Sequence, residues 1–285
     1  MRRLIALTAT ALLAPALALA ASATAHAAPK PTAAGPADAL RQQLVKRTTV
    51  RIDERNEFRL GKTALRYRET GVVRFGRSGP DAGDTKLTIS SGASKSTGHI
   101  IALGGKVYVK SPVYDDALPA GKTWVRFTGP ARTTLLVDVL RPRTLGALVA
   151  HTKSKAPGGT VNGARTTLLR GAITLGELAK VSPDGGLRGL SGKEKKIAVP
   201  WKLWVGGDQL PRRFQAAVVL PGPAPLGDLK LSSDARYAGW GGHVAIQAPP
   251  ADLVVDQKDL ETDEDLPEAR PDLITTITGR AAAKS

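Results

Sequence analysis

The chain has 285 residues, a formal net charge of +16, 4% aromatic residues and no cysteine. Without cysteine it has neither disulfide staples nor thiolate metal ligands, so the fold must stand on an apolar core, as one large domain or two small ones. A surface this basic suits anionic headgroups or acidic polymers; nucleic acid would call for aromatics exposed among the basic residues, and here most of the few aromatics fall at alternating strand positions.

The N-terminus reads as a targeting segment. Arg2 and Arg3 precede an apolar run over 4–21, and Ala25-His26-Ala27 supplies a small-x-small cleavage pattern. Residues 1–27 are therefore expected to be a signal peptide cleaved near Ala27. The product is expected in the cell envelope or outside the cell, with no transmembrane segment once processed. A bacterial lipid anchor needs a cysteine just after the cleavage point, and none is present. Residues 28–36 are rich in Ala, Pro and Lys and read as a disordered leader.

A helix follows, capped by Asp38, with Leu40, Leu44 and Val45 on one face. Over 50–75 charged and apolar residues alternate, which predicts two long antiparallel strands turning near Gly61-Lys62. Ile52, Phe58, Leu60, Leu65 and Tyr67 point inward, and Arg66, Arg68 and Arg74 point to water. Residues 76–84 read as a polar loop, and 86–90 as a strand with Leu87 and Ile89 inward. Gly104-Gly105 accepts positive φ and closes a hairpin between Ile101, Leu103 and Val107, Val109, with Tyr108 and Lys110 on its opposite face. Residues 124–127 form a third strand.

The period then becomes helical at Leu135, Leu136, Val139 and Leu140. It breaks at Arg141-Pro142 and resumes at Leu145, Leu148 and Val149, which predicts two short helices. Residues 153–159 read as a polar link, Asn162-Gly163 as a hairpin turn, 166–175 as a strand and 183–196 as a mobile Gly- and Lys-rich stretch. Val199, Trp201, Leu203 and Val205 share one strand face, and Phe214, Ala216, Val218 and Leu220 return after Gly206-Gly207-Asp208. Leu229, Leu231 and Tyr237 make a further strand and 244–246 a last one. Beyond 256 an acidic run over 259–272 reads as part of a disordered tail, 257–285. Antiparallel hairpins with helices inserted at two points argue an α+β fold: a curved sheet with helices on one face.

Chemistry-bearing patterns are sparse. Of four histidines, His26 lies in the expected signal peptide, and His99, His151 and His243 stand far apart, which gives no metal spacing. The strings at 76–79 and 189–192 lack the spacing of a nucleophile elbow. Gly-Lys-Thr at Gly61 and Gly121 lacks the earlier glycine of a phosphate loop. The expectation is a protein that is not an enzyme and needs no cofactor or metal.

Several stretches together resemble a known family. They are G-V-V-R-F-G at 71–76, I-I-A-L-G-G-K-V-Y-V-K-S-P at 100–112, K-T-W-V-R-F at 122–127, T-V-N-G-A-R-T-T-L-L-R-G at 160–171 and V-P-W-K-L-W-V-G-G-D-Q-L-P-R-R-F at 199–214. Over roughly 37–256 the chain looks like a single domain of the actinobacterial LppX/LprG-type lipoproteins, whose shape is similar to that of the LolA/LolB carriers. It departs from them in lacking the lipobox cysteine. The resemblance implies an antiparallel β half-barrel whose concave face is covered by helices around an apolar cavity. It also implies a function: binding or carriage of acyl lipid or glycolipid in the envelope.

Candidate lining residues for such a cavity are Val107, Val109, Val125, Phe127, Leu135, Leu136, Leu140, Leu145, Leu148, Trp201 and Leu203. Lys106, Lys110, Arg126, Arg212 and Arg213 are candidates to meet anionic headgroups at its mouth. The alternative reading is an interaction or sensor module that binds anionic polymer or another protein through its basic surface.

Overall fold

The computed structural model describes residues 35–129, 136–182, 187, 190–221 and 227–260. The cleavage signal, nearly all of the leader, the acidic run beyond Leu260 and the candidate Leu135 lie outside them, as does most of 183–190. Among the described residues twelve strands form one open sheet, antiparallel except at one edge.

The first six strands follow one another in chain order. They are β1 (Thr49–Leu60), β2 (Thr63–Phe75), β3 (Pro80–Ser91), β4 (Ser94–Leu103), β5 (Lys106–Lys110) and β6 (Trp124–Thr128). A second meander comprises β7 (Thr152–Val161), β8 (Ala164–Thr174), β9 (Ala198–Gly206), β10 (Pro211–Leu220) and β11 (Leu229–Gly242). β11 returns to pair with β1, so the two meanders share one seam. The short β12 (Val254–Asp256) lies parallel to β6 and closes the order β12-β6-β5-β4-β3-β2-β1-β11-β10-β9-β8-β7.

Alternation along β1 assigns the two faces of the sheet. Val50, Ile52 and Phe58 are buried on what we call the inner face, while Arg51, Asp53, Arg55, Glu57 and Arg59 occupy the outer face. Cross-strand register extends the inner face through Tyr67, Ile89, Leu231, Phe214, Leu203 and Leu169. The helices α1 (Pro36–Val45), α2 (Pro142–Ala150) and α3 (Leu175–Val181) pack in series, with α2 and α3 resting on β8. Their Leu40, Leu44, Leu145, Leu148, Leu175 and Leu178 join the inner-face residues of β1 and β8–β11 in the main core.

Two smaller clusters hold the far end. Tyr114, Val125, Phe127 and Val255 are buried together on the inner face. On the outer face Ala82, Ile101 and Trp124 are covered by Ile246 and Leu253, so the chain after β11 crosses the back of the sheet before entering β12. The Gly104-Gly105 hairpin is therefore apolar on both faces. Val107 pairs with Ala102, which puts Ile101 and Leu103 on the side of Tyr108.

Several expectations are corrected. β3 begins at Pro80, because its polar residues Asp81 and Asp84 sit on a solvated outer face where they meet Arg74 and His99. Residues 153–159 are a strand, β7, and not a link. As an edge strand it tolerates Pro157, whose missing N–H has no ladder to serve. Residues 136–140 are not helical: the Leu140 N–H is taken by the Asp138 carboxylate at 3.0 Å in a local turn, and Pro142 starts α2. Residues 244–246 are not a strand, and the last strand is β12. α1 starts after Gly35, and Asp38 lies in its first turn, paired with Arg41. α3 carries a capping box: Glu177 N–H donates to Thr174 Oγ1, and Thr174 N–H donates to Glu177.

Gly171 shows how tightly the inner face is built. It stands opposite Trp201, and a Cβ there would lie 2.2 Å from the His151 carbonyl and 2.4 Å from the indole. Gly171→Ala should therefore destabilise the fold by about 1–3 kcal/mol through overpacking. Gly192→Ala, with open space around it, should leave the thermal midpoint unchanged. Paired thermal melts check this.

Candidate functional site

The sequence candidates fall into separate places. Leu136, Leu140, Leu145, Leu148, Trp201 and Leu203 are fully packed in the main core, each at most 3% exposed. Val125 and Phe127 belong to the far inner cluster, with Val107 and Val109 packed against it. Between these two bodies, Leu87, Ile89 and Ile100 are half-buried and belong to neither cluster. Leu65 and Tyr67 flank them on one side, and Val107 and Val109 on the other. These seven residues make a partly open apolar strip across the inner face of β2–β5. Burial pushes the Tyr67 phenol up, so it stays neutral in this strip.

The basic candidates lie elsewhere. Lys106, Lys110 and Arg126 project from the outer face of β5 and β6, opposite to Val107, Val109, Val125 and Phe127. Arg212 and Arg213 sit at the start of β10, with β4, β3, β2, β1 and β11 between them and β5. All but the two lysines are engaged. Arg126 grips Asp256 with Nε at 2.6 Å and Nη2 at 2.5 Å. Arg212 bonds Asp208 at 2.6 Å. Arg213 donates to Asp234 at 2.8 and 2.5 Å while its guanidinium lies 5.1 Å from the centre of the Trp204 ring. Burial pushes the Asp234 carboxyl up, but bonds from Arg213 and Gln215 outweigh that and hold it below the ordinary aspartate range.

The outer face also carries an open groove of about 880 Å³ that no single stretch of sequence announces. One row of directly opposed residues crosses it: Arg170, Lys202, Gln215, Asp234, Arg55, Arg68 and Thr88, from β8 to β3. Alternation alone marks Arg66 and Arg68 as solvent-facing. Their convergence with Arg170 and Lys202 needs the β1–β11 seam. A smaller hollow of about 400 Å³ lies beside Tyr108, Lys122, Arg126 and Asp256 at the β12 edge.

Among the described residues no group of three or more His, Cys, Asp or Glu is placed to hold a metal ion, and no helix is long and apolar enough to cross a membrane.

No family model matches the chain, and no curated protein matches it. Among solved structures it is similar to LprF from Mycobacterium bovis, at 16% identity and a TM-score of 0.38, covering 75% of this chain and 96% of that one. A DUF1329 family protein from Desulfovibrio piger is similar at 10% identity and a TM-score of 0.22, covering 74% and 93%. The MucA/MucB complex of Pseudomonas aeruginosa gives 10% identity and a TM-score of 0.22, covering 71% and 94%. Likenesses at these scores establish neither family nor activity.

The Arg126–Asp256 pair makes attachment of β12 depend on pH. The hydrogen bond from Arg126 holds the Asp256 carboxyl below its ordinary value. Its contribution is complete above the unfolded aspartate pKa, about 3.9, and is lost as pH falls through the lowered folded value. Hydrogen-exchange protection of the β12 amides should fall across that acid window, relative to β1. Asp256→Asn should lower protection at neutral pH and remove the acid step.

Proposed function

We propose that this chain is a lipid-binding or lipid-carrier protein of the cell envelope that lays acyl chains along the inner face of its sheet. The observation that supports this reading is the half-buried strip centred on Leu87, Ile89 and Ile100, between two well-packed apolar bodies. An acyl chain covering such a strip gains about 0.8 kcal/mol for each methylene it buries, and the β-sheet backbone beneath it is already hydrogen-bonded. The LppX/LprG-type resemblance of the sequence points the same way. The missing lipobox cysteine and the leader pattern favour a diffusible protein, secreted or retained in the envelope. The reading is non-enzymatic: carriage needs an apolar surface and a means of release, and no bond is made or broken.

Native mass spectrometry of the secreted protein, followed by organic extraction, tests the proposal. A discrete adduct that resolves into acyl lipid is expected. Ile89→Glu should remove it while leaving the thermal midpoint within a few degrees, because the position is only half-buried. A clean apo mass that does not shift after incubation with envelope lipids would overturn the reading.

A further inference from the structure

Across the outer face the register sets cations directly opposite one another at four places among the described residues. Arg55 faces Arg68, Arg213 faces Arg236, Arg59 faces Lys230, and Arg170 faces Lys202. Like charges in this position repel. In three of the pairs a carboxylate relieves them. Asp53 bonds both Arg55 and Arg68, Asp234 bonds Arg213, and Glu57 bonds Arg59. The fourth pair differs, since neither Arg170 nor Lys202 has a carboxylate partner among the described residues. Both are exposed, and both line one end of the outer groove.

We propose that this end of the groove is a binding site for an anionic polysaccharide, one of whose acid groups sits between Arg170 and Lys202 as Asp53 sits between Arg55 and Arg68. The rest of the groove suits a hydroxylated chain. Thr88, Ser90, Gln215 and Ser232 offer neutral hydrogen-bonding groups along it. The groove crosses seven strands, a span of roughly 29 Å at the usual strand spacing of about 4.8 Å. A flat anionic membrane fits less well, because its headgroups lie in one plane whereas the unrelieved pair lines a groove. A protein partner would call for large apolar anchors at the centre of the contact. The outward-facing positions of the groove carry none larger than Ala217 and Pro200, since Tyr67 and Trp201 belong to the inner face. The site is on the opposite side of the sheet from the lipid strip and is independent of it.

Titration calorimetry of the full chain against polygalacturonate, with dextran, poly-L-glutamate and phosphatidylglycerol vesicles as comparisons, tests the site. Polygalacturonate should bind, more weakly as salt rises, and dextran should not. Arg170→Glu and Lys202→Glu should each weaken binding about tenfold or more, with Lys202→Gln intermediate. Lys46→Glu makes the same charge change at the exposed end of α1 and should alter affinity less than about twofold. Binding should persist in the Ile89→Glu protein, which separates this result from the fate of the lipid reading. Equal losses in Lys46→Glu and Arg170→Glu would reduce the effect to net charge and overturn the site. So would tighter binding of vesicles or polyglutamate than of polygalacturonate, or no binding at all.

Discussion

β1 is paired along its length with β2 on one side and with β11 on the other, and the second of these pairings joins residues almost two hundred positions apart. Closing so long a loop costs entropy that only non-local contacts recover. The recovery comes from the alternation of β1 itself. Val50, Ile52 and Phe58 fall into the main core, Arg51, Asp53, Arg55 and Glu57 fall on the outer face, and Glu54 is the one charged residue between them that is buried with the inner set. A slip of one residue would reverse every one of these side chains, so the seam has a single acceptable register. Without it the two meanders would be separate sheets, each with an additional open edge.

Once that register is set, the two faces diverge. On the inner side the helices serve the second meander and leave the centre of the first partly open, so the apolar face is dense at one end and half-buried in the middle. On the outer side, carboxylates inserted between arginines keep a crowded ladder of like charges together. Each of these exposed pairs stabilises little alone, and their arrangement matters more for what the face attracts. The segment after β11 uses the back of β3–β6 as a second apolar surface, which is why that end is covered on both sides.

Local pattern was enough for much of this. The antiparallel hairpins at Gly61, Gly104-Gly105, Asn162-Gly163 and Gly206-Gly207 could be read directly, because a turn of this kind depends on neighbouring residues only. The inward set Ile52, Phe58, Tyr67, Leu87 and Ile89 followed from period two. Where local pattern misled, a tertiary partner was responsible. β7 looked like a link until its place at the edge of the sheet made Pro157 acceptable, and 136–140 looked helical until the Asp138 turn took its backbone. α3 was missed although the Thr174–Glu177 capping box was visible, because seven residues are too few for a clear helical period.

The sequence by itself determined a mainly antiparallel sheet with few helices, the order of hairpins and the inward or outward side of most strand residues, since alternation and turn chemistry act over a few residues. Only the tertiary structure decided which of those residues meet. Val125 and Leu148 are both apolar and both buried, yet they lie in different clusters because β6 and α2 sit at opposite ends of the sheet. Arg170 and Arg68, about a hundred positions apart, line one groove because four intervening strands bring them into one row. Contacts between strands distant in sequence depend on sheet order and register, and no local pattern in the chain encodes them.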